Sequence, residues 1–141
     1  YIDMVQCLQI DDKVNVYADY SFRDGTLQNK LAKTDYDLSF GLFGAIDKAK
    51  NVVPNKMIES FQLGIPVLSQ NLNSVDDFPN LSNSIFQIDN SVKAIVSFMT
   101  NYYYNQESFK IDIIKSNAMK IYLENFSKNI FYKNLNEIFS Y

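Results

Sequence analysis

The chain has no histidine, and Cys7 is its only cysteine. Without an imidazole, neither histidine general-base catalysis nor His-ligated zinc is available within these 141 residues. A lone thiol builds no disulfide framework and no cysteine-rich metal cluster. Positive charge is scarce: 13 lysines and arginines against 16 aspartates and glutamates leave a net charge of −3, which argues against non-specific nucleic-acid binding through a basic face. Long hydrophobic runs are missing too. No stretch approaches the length needed to span a bilayer and no signal peptide is visible, so the expectation is a soluble, cytoplasmic protein, with peripheral association at the inner face of a membrane left open. What is present, 47% hydrophobic and 21% charged residues, is globular composition, and the length is that of one ordinary domain with a real core.

Taken in order, Ile2, Met4, Val5 and Leu8 recur at three-to-four spacing, as in the tail of an amphipathic helix over Tyr1 to Ile10. A chain opening in mid-helix leads to the expectation of a fragment of a longer protein. Asp11-Asp12-Lys13 breaks that helix, and Val14 to Ala18 is a β-rich run. Arg23-Asp24-Gly25 is a turn, after which Thr26 to Lys33 reads as a helix capped by Thr26, with Leu27, Leu31 and Ala32 inward. Tyr36 to Phe43 is the next strand, one covered on both faces. Gly44 to Val53 is a loop, and Asn71 to Asn83 is polar with Val75, Phe78 and Leu81 as anchors. Ser84 to Ile88 alternates as a last strand; Ser91 to Tyr104 is a helix presenting Val92, Ile95, Val96 and Met99 on one face. Helical segments over Glu107 to Glu124 and Ser127 to Ser140 close the chain. Asp11-Asp12 and Asp76-Asp77 read as solvated turn residues, and Asp35 with Asp37 makes no convincing metal pair.

The most informative run is Asn55 to Gln70. Pro54 stands where a helix start tolerates a missing N–H, and Gly64 where a helix commonly ends in a left-handed residue. Met57, Ile58, Phe61 and Leu63 form its apolar side; Pro66 opens a buried strand over Pro66 to Ser69. With the earlier runs this makes four strands separated by helices, hence a parallel sheet.

Pro-Asn-Lys-Met-Ile-Glu-Ser-Phe-Gln-Leu-Gly-Ile-Pro-Val-Leu-Ser, residues 54–69, resembles the signature of the C-terminal domain of GT-B, group 1-type retaining glycosyltransferases. The tail is similar to the family's closing pattern, with Ala118-Met119-Lys120, then Glu124-Asn125-Phe126-Ser127, then Leu135 to Phe139. The resemblance covers roughly residues 14–141, and only its central signature is specific. It implies an α/β fold, a Rossmann-like parallel sheet flanked by helices. Residues 1–125 would form the N-terminally truncated nucleotide-sugar-binding part. Residues 126–141 would form a helix reaching toward an N-terminal domain of the same chain. The implied activity is sugar transfer from a nucleoside-diphosphate sugar to a glycan or lipid-linked acceptor, as in polysaccharide biosynthesis. No separate cofactor and no bound metal are implied.

The family's glutamate that binds the donor ribose falls on Glu59, and its second, sugar-contacting glutamate falls on Asn51. An amide hydrogen-bonds sugar hydroxyls but carries no charge against an oxocarbenium ion, so Asn51 marks either another donor sugar or a plain loop residue. Physically, a helix start at Asn55 aims the N–H groups of Val52, Val53 and Asn55 at a diphosphate. Lys56 either adds a cation or is a solvated surface lysine. A carboxylate at Glu59 suits two vicinal hydroxyls, against the plain alternative of an exposed helix glutamate. Gly41 and Gly44 would allow close backbone approach at a strand end. Phe22 is either a base-stacking ring or a tucked loop aromatic; beside it, Arg23 completes the candidate donor-binding set. None of these residues is a protein nucleophile, and the implied catalysis is electrophilic, through stabilisation of the leaving diphosphate. Because the family's Arg/Lys pair precedes this segment, the isolated piece is expected to bind nucleotide weakly and not to catalyse transfer.

Two other readings compete. The first is a non-catalytic transferase-like domain serving assembly or nucleotide binding, favoured by Asn51. The second is a regulatory doubly wound domain, whose acidic cluster and lysine are imitated poorly by Asp35, Asp37 and Lys56.

Overall fold

The computed structural model describes every residue except 1–5, 8, 10, 11, 18, 22, 79 and 141. The helix expected over Tyr1 to Ile10 therefore falls largely outside the described residues, as do Asp11 and Phe22. Two compact units divide the chain, Tyr1–Asp35 and Tyr36–Tyr141. Among the described residues no helix is long and apolar enough to cross a membrane.

In the first unit, helix α1 occupies Thr26–Lys33 as expected. Its start differs by one residue. Gly25, left-handed at φ 76°, is the cap, and Asp24 takes the capping role assigned to Thr26: its Oδ1 accepts from the Thr26 N–H at 3.0 Å and from Thr26 Oγ1 at 2.7 Å. Those hydrogen bonds hold the Asp24 carboxyl below the ordinary aspartate range. Leu27 and Leu31 are half-buried, whereas Ala32 is exposed, not inward. The expected strand at Val14 to Ala18 is not formed over residues 14–17, and Ala18 lies outside the described residues. β-branched side chains make a strand only where a neighbour takes up the backbone groups; here Val14, Val16 and Tyr17 stay exposed. Tyr17 and Tyr20 meet edge to face at 5.6 Å, with Lys30 Nζ 5.2 Å over the Tyr17 ring.

The second unit is a mixed α/β body. Three parallel strands, β1 Ser39–Phe40, β2 Val67–Gln70 and β3 Ile85–Ile88, lie in sequential order. Among the described residues three strands form where four were expected, and β1 is far shorter than Tyr36 to Phe43. Helices follow: α2 Asn55–Gln62, α3 Val92–Tyr104, α4 Ile111–Ile121 and α5 Lys128–Phe139. The register sets Val67 beside Ile85 and Leu68 beside Phe86. Because successive strand residues alternate faces, these two pairs mark opposite sides. Val67 and Ile85 join Met57 and Phe61 of α2 and Ala118 and Ile121 of α4 in one buried cluster. Val75 and Leu81 belong to the same cluster and Phe78 packs on it, as anticipated. Phe86 faces the other way, into Phe98 and Tyr102 of α3 and Phe109. Helices thus cover both faces, an arrangement compatible with a Rossmann-like fold.

α3 departs from expectation in its orientation. Val92, Val96 and Met99 are exposed, and Ile95 alone of the expected four is half-buried. Phe98 and Tyr102 take the inward side instead; the Tyr102 hydroxyl donates to the Asp37 carbonyl at 3.0 Å. Burial, together with the Asp37 charge, raises the Tyr102 phenol above its ordinary range. The helix begins where Ser91 was expected to begin it, its Oγ accepting from the Ala94 N–H at 3.1 Å. Ser91→Ala should cost about 1 kcal/mol of stability, read as a lower urea midpoint at unchanged slope.

The helical region expected from Glu107 to Glu124 is helical, in three successive forms. A 3₁₀ turn spans Gln106–Phe109, Lys110 adopts a left-handed φ of 48°, and only then does α4 start. A π-turn over Tyr122–Phe126 links α4 to α5, and Phe126 packs against Phe78 at 4.9 Å.

Candidate functional site

α2 owes its bounds to local chemistry. Pro54, extended at φ −73°, precedes Asn55, and its carbonyl takes the Met57 N–H at 2.9 Å. At the far end Gly64 is left-handed at φ 67°; its N–H donates to Phe61 O at 3.0 Å, and that of Ile65 to Ser60 O at 2.9 Å. These two crossed bonds are a Schellman ending, which turns the chain directly into Pro66 and β2. Met57, Ser60 and Phe61 face the sheet, and Ser60 Oγ donates to Ser39 Oγ of β1 at 2.9 Å.

β2 is buried throughout, and its two polar residues fasten the loop that leaves β1. Ser69 Oγ accepts the Leu42 N–H at 3.1 Å and donates to the Leu42 carbonyl at 3.0 Å. Gln70 Oε1 accepts the Gly44 N–H at 2.9 Å, while its Nε2 is buried with no hydrogen-bond partner among the described residues. Gly41 is needed for close approach: a Cβ there would come within 2.9 Å of Ser69 Cβ. Gly44 is not, since its nearest neighbour would be Ala49 Cβ at 3.7 Å.

Further along the same loop, Asn51 Oδ1 accepts from Asn73 Nδ2 at 2.9 Å and its own Nδ2 donates to the Asp47 carbonyl at 3.0 Å. The loops after β1 and after β2 are thereby pinned to one another at the carboxyl edge of the sheet. Val52 and Val53 are half-buried, Val53 against the core cluster. The backbone N–H groups of Val52, Val53, Asn55 and Lys56 make no hydrogen bond among the described residues. Lys56 is exposed.

Glu59 stands one turn into α2, about 6 Å along the axis from Asn55 and about 40° around it. It is half-buried, and among the described residues its carboxylate has neither an ion pair nor a hydrogen bond. Burial raises its pKa above the ordinary glutamate range. Asn51, Val52, Val53, Asn55, Lys56 and Glu59 thus gather on one loop and helix start. Arg23 belongs to the first unit, where it is an exposed turn residue.

Comparisons with protein-family models, curated proteins and solved structures found no match. The site is therefore read from its own chemistry. Unbonded amides at a helix start attract an anion, and a desolvated carboxylate accepts from hydroxyl donors. Among the described residues no group of three or more cysteine or acidic side chains is placed to hold a metal ion. Sequence reasoning missed Ser69, Gln70 and Asn73, which shape the site through contacts distant in sequence.

Proposed function

We propose that this chain is the donor-binding domain of a GT-B-type glycosyltransferase, taking a sugar from a nucleoside-diphosphate donor to a glycan or lipid-linked acceptor. The observation that carries the reading is Glu59, a half-buried carboxylate without a partner among the described residues, one turn beyond free amides at the start of α2. The diphosphate lies against the N–H groups of Val52, Val53, Asn55 and Lys56, with the Lys56 side chain as a nearby cation. Glu59 accepts both ribose hydroxyls. The site then assists departure of the nucleoside diphosphate electrostatically and supplies no nucleophile of its own. In this reading the protein works in the cytoplasm, and the exposed Phe131, Ile138 and Phe139 of α5 pack toward an N-terminal domain of the same polypeptide.

Calorimetric titration with UDP-, GDP- and ADP-linked sugars tests the proposal. One base class should bind saturably, with a Kd of about 0.1–1 mM for this chain alone. Absence of binding to all three overturns it. Asn51 favours a second reading, a non-catalytic nucleotide-binding domain, because its amide is already committed to Asp47 and Asn73. Donor binding by the chain without sugar transfer by the full-length protein selects that alternative.

A further inference from the structure

The side that α3 turns away from the sheet is apolar. Val92 is 77% exposed, Val96 58%, Met99 36% and Tyr103 73%. Spaced four, three and four residues apart, they fall within about 60° of one another around the helix axis, one continuous stripe. Lys93 is the only charged residue of α3. Single exposed apolar residues are ordinary on a surface, whereas a contiguous stripe marks a contact site. At the helix C-terminus the stripe runs into a groove of about 490 Å³ whose walls include Tyr103, Tyr104 and Glu107. The two tyrosine rings meet edge to face there at 5.1 Å.

We propose that a second copy of this chain covers this face, the two α3 helices lying antiparallel about a twofold axis between Val96 and Met99. Such an axis sets Val96 of each copy against Met99 of the other, and Val92 of each at the Tyr103–Tyr104 groove of the other. Charge complementarity supports the antiparallel sense. Lys93, in the first turn of one helix, comes level with the last turn of the other, where Tyr104 offers a ring face and Glu107 a carboxylate. Neither Lys93 nor Glu107 has an ion pair among the described residues. Complete burial of the stripe with Tyr104 would cover about 600 Å² on each copy, about 1,200 Å² in total, the lower limit of specific interfaces.

Sedimentation velocity over a concentration series tests this on the 141-residue chain. The chain should shift from one mass to twice that mass as concentration rises. Val96→Glu should leave it monomeric with an unchanged circular-dichroism spectrum, since that side chain is exposed in the single copy. Lys93→Glu should weaken the dimer at least tenfold, and adding Glu107→Lys to it should restore the affinity. A monomer at every concentration overturns the proposal. So does a dimer that survives Val96→Glu, or one abolished by Phe131→Glu on α5 and untouched by Val96→Glu.

Discussion

Replacing Glu59 with glutamine is expected to weaken donor binding about a hundredfold while raising the stability of the ligand-free protein at neutral pH. The first effect follows from charge: hydrogen bonds to an ionised group are worth about 1.5–3 kcal/mol each, and an amide of the same shape accepts ribose hydroxyls less strongly. The second follows from desolvation. Burial raises the Glu59 pKa, so the folded protein holds this proton more tightly than the unfolded chain does. Stability then falls as pH rises from the unfolded value through the raised folded value, and the deficit is complete above that window. Glutamine carries no such deficit. Thermal unfolding at pH 7 should therefore favour Glu59→Gln, and the advantage should fade as pH drops below that window. Calorimetric titration reads the first effect and scanning calorimetry the second. Equal donor affinity in the two proteins would remove Glu59 from the site.

Gly41→Val should destabilise the second unit by about 3 kcal/mol, because the space its side chain needs is already filled. A Cβ at this position lies 2.9 Å from both Ser69 Cβ and Val67 Cγ1 and 3.0 Å from Ser69 Oγ. Val67 and Ser69 are fully buried, and Ser69 is further held by its paired bonds to Leu42, so neither can yield. The loss corresponds to a melting temperature lower by about 10 °C. Gly44→Ala provides the contrast, since its Cβ would meet only Ala49 at ordinary contact distance, and little change is expected. Urea unfolding followed by circular dichroism measures both.

Much of the second unit was legible where structure is decided locally. Pro54, Gly64 and Pro66 bracket α2 and the start of β2 to within a residue, because caps, left-handed stops and missing donors act through the nearest few bonds. Ser91 fixes the start of α3 for the same reason. Distant neighbours decide the rest. Val14 to Tyr17 has strand composition and, among the described residues of its unit, no strand partner. α3 carries two apolar stripes side by side, and only the aromatic packing of Phe86, Phe98 and Tyr102 shows which one turns inward. The left-handed turn at Lys110 uses a residue that gives no warning of it. The candidate site divides likewise. Asn55 and Glu59 are placed by the helix that contains them, whereas the bonds from Ser69, Gln70 and Asn73 to the preceding loop exist only once β1 and β2 are paired.

The shortness of β1 bears on how this protein keeps itself from clumping. Among the described residues β1 is an outer strand, and its two residues present too few open amide and carbonyl groups for a stray chain to align on and extend the ribbon indefinitely. A blunt margin of this kind discourages fibre growth from that side.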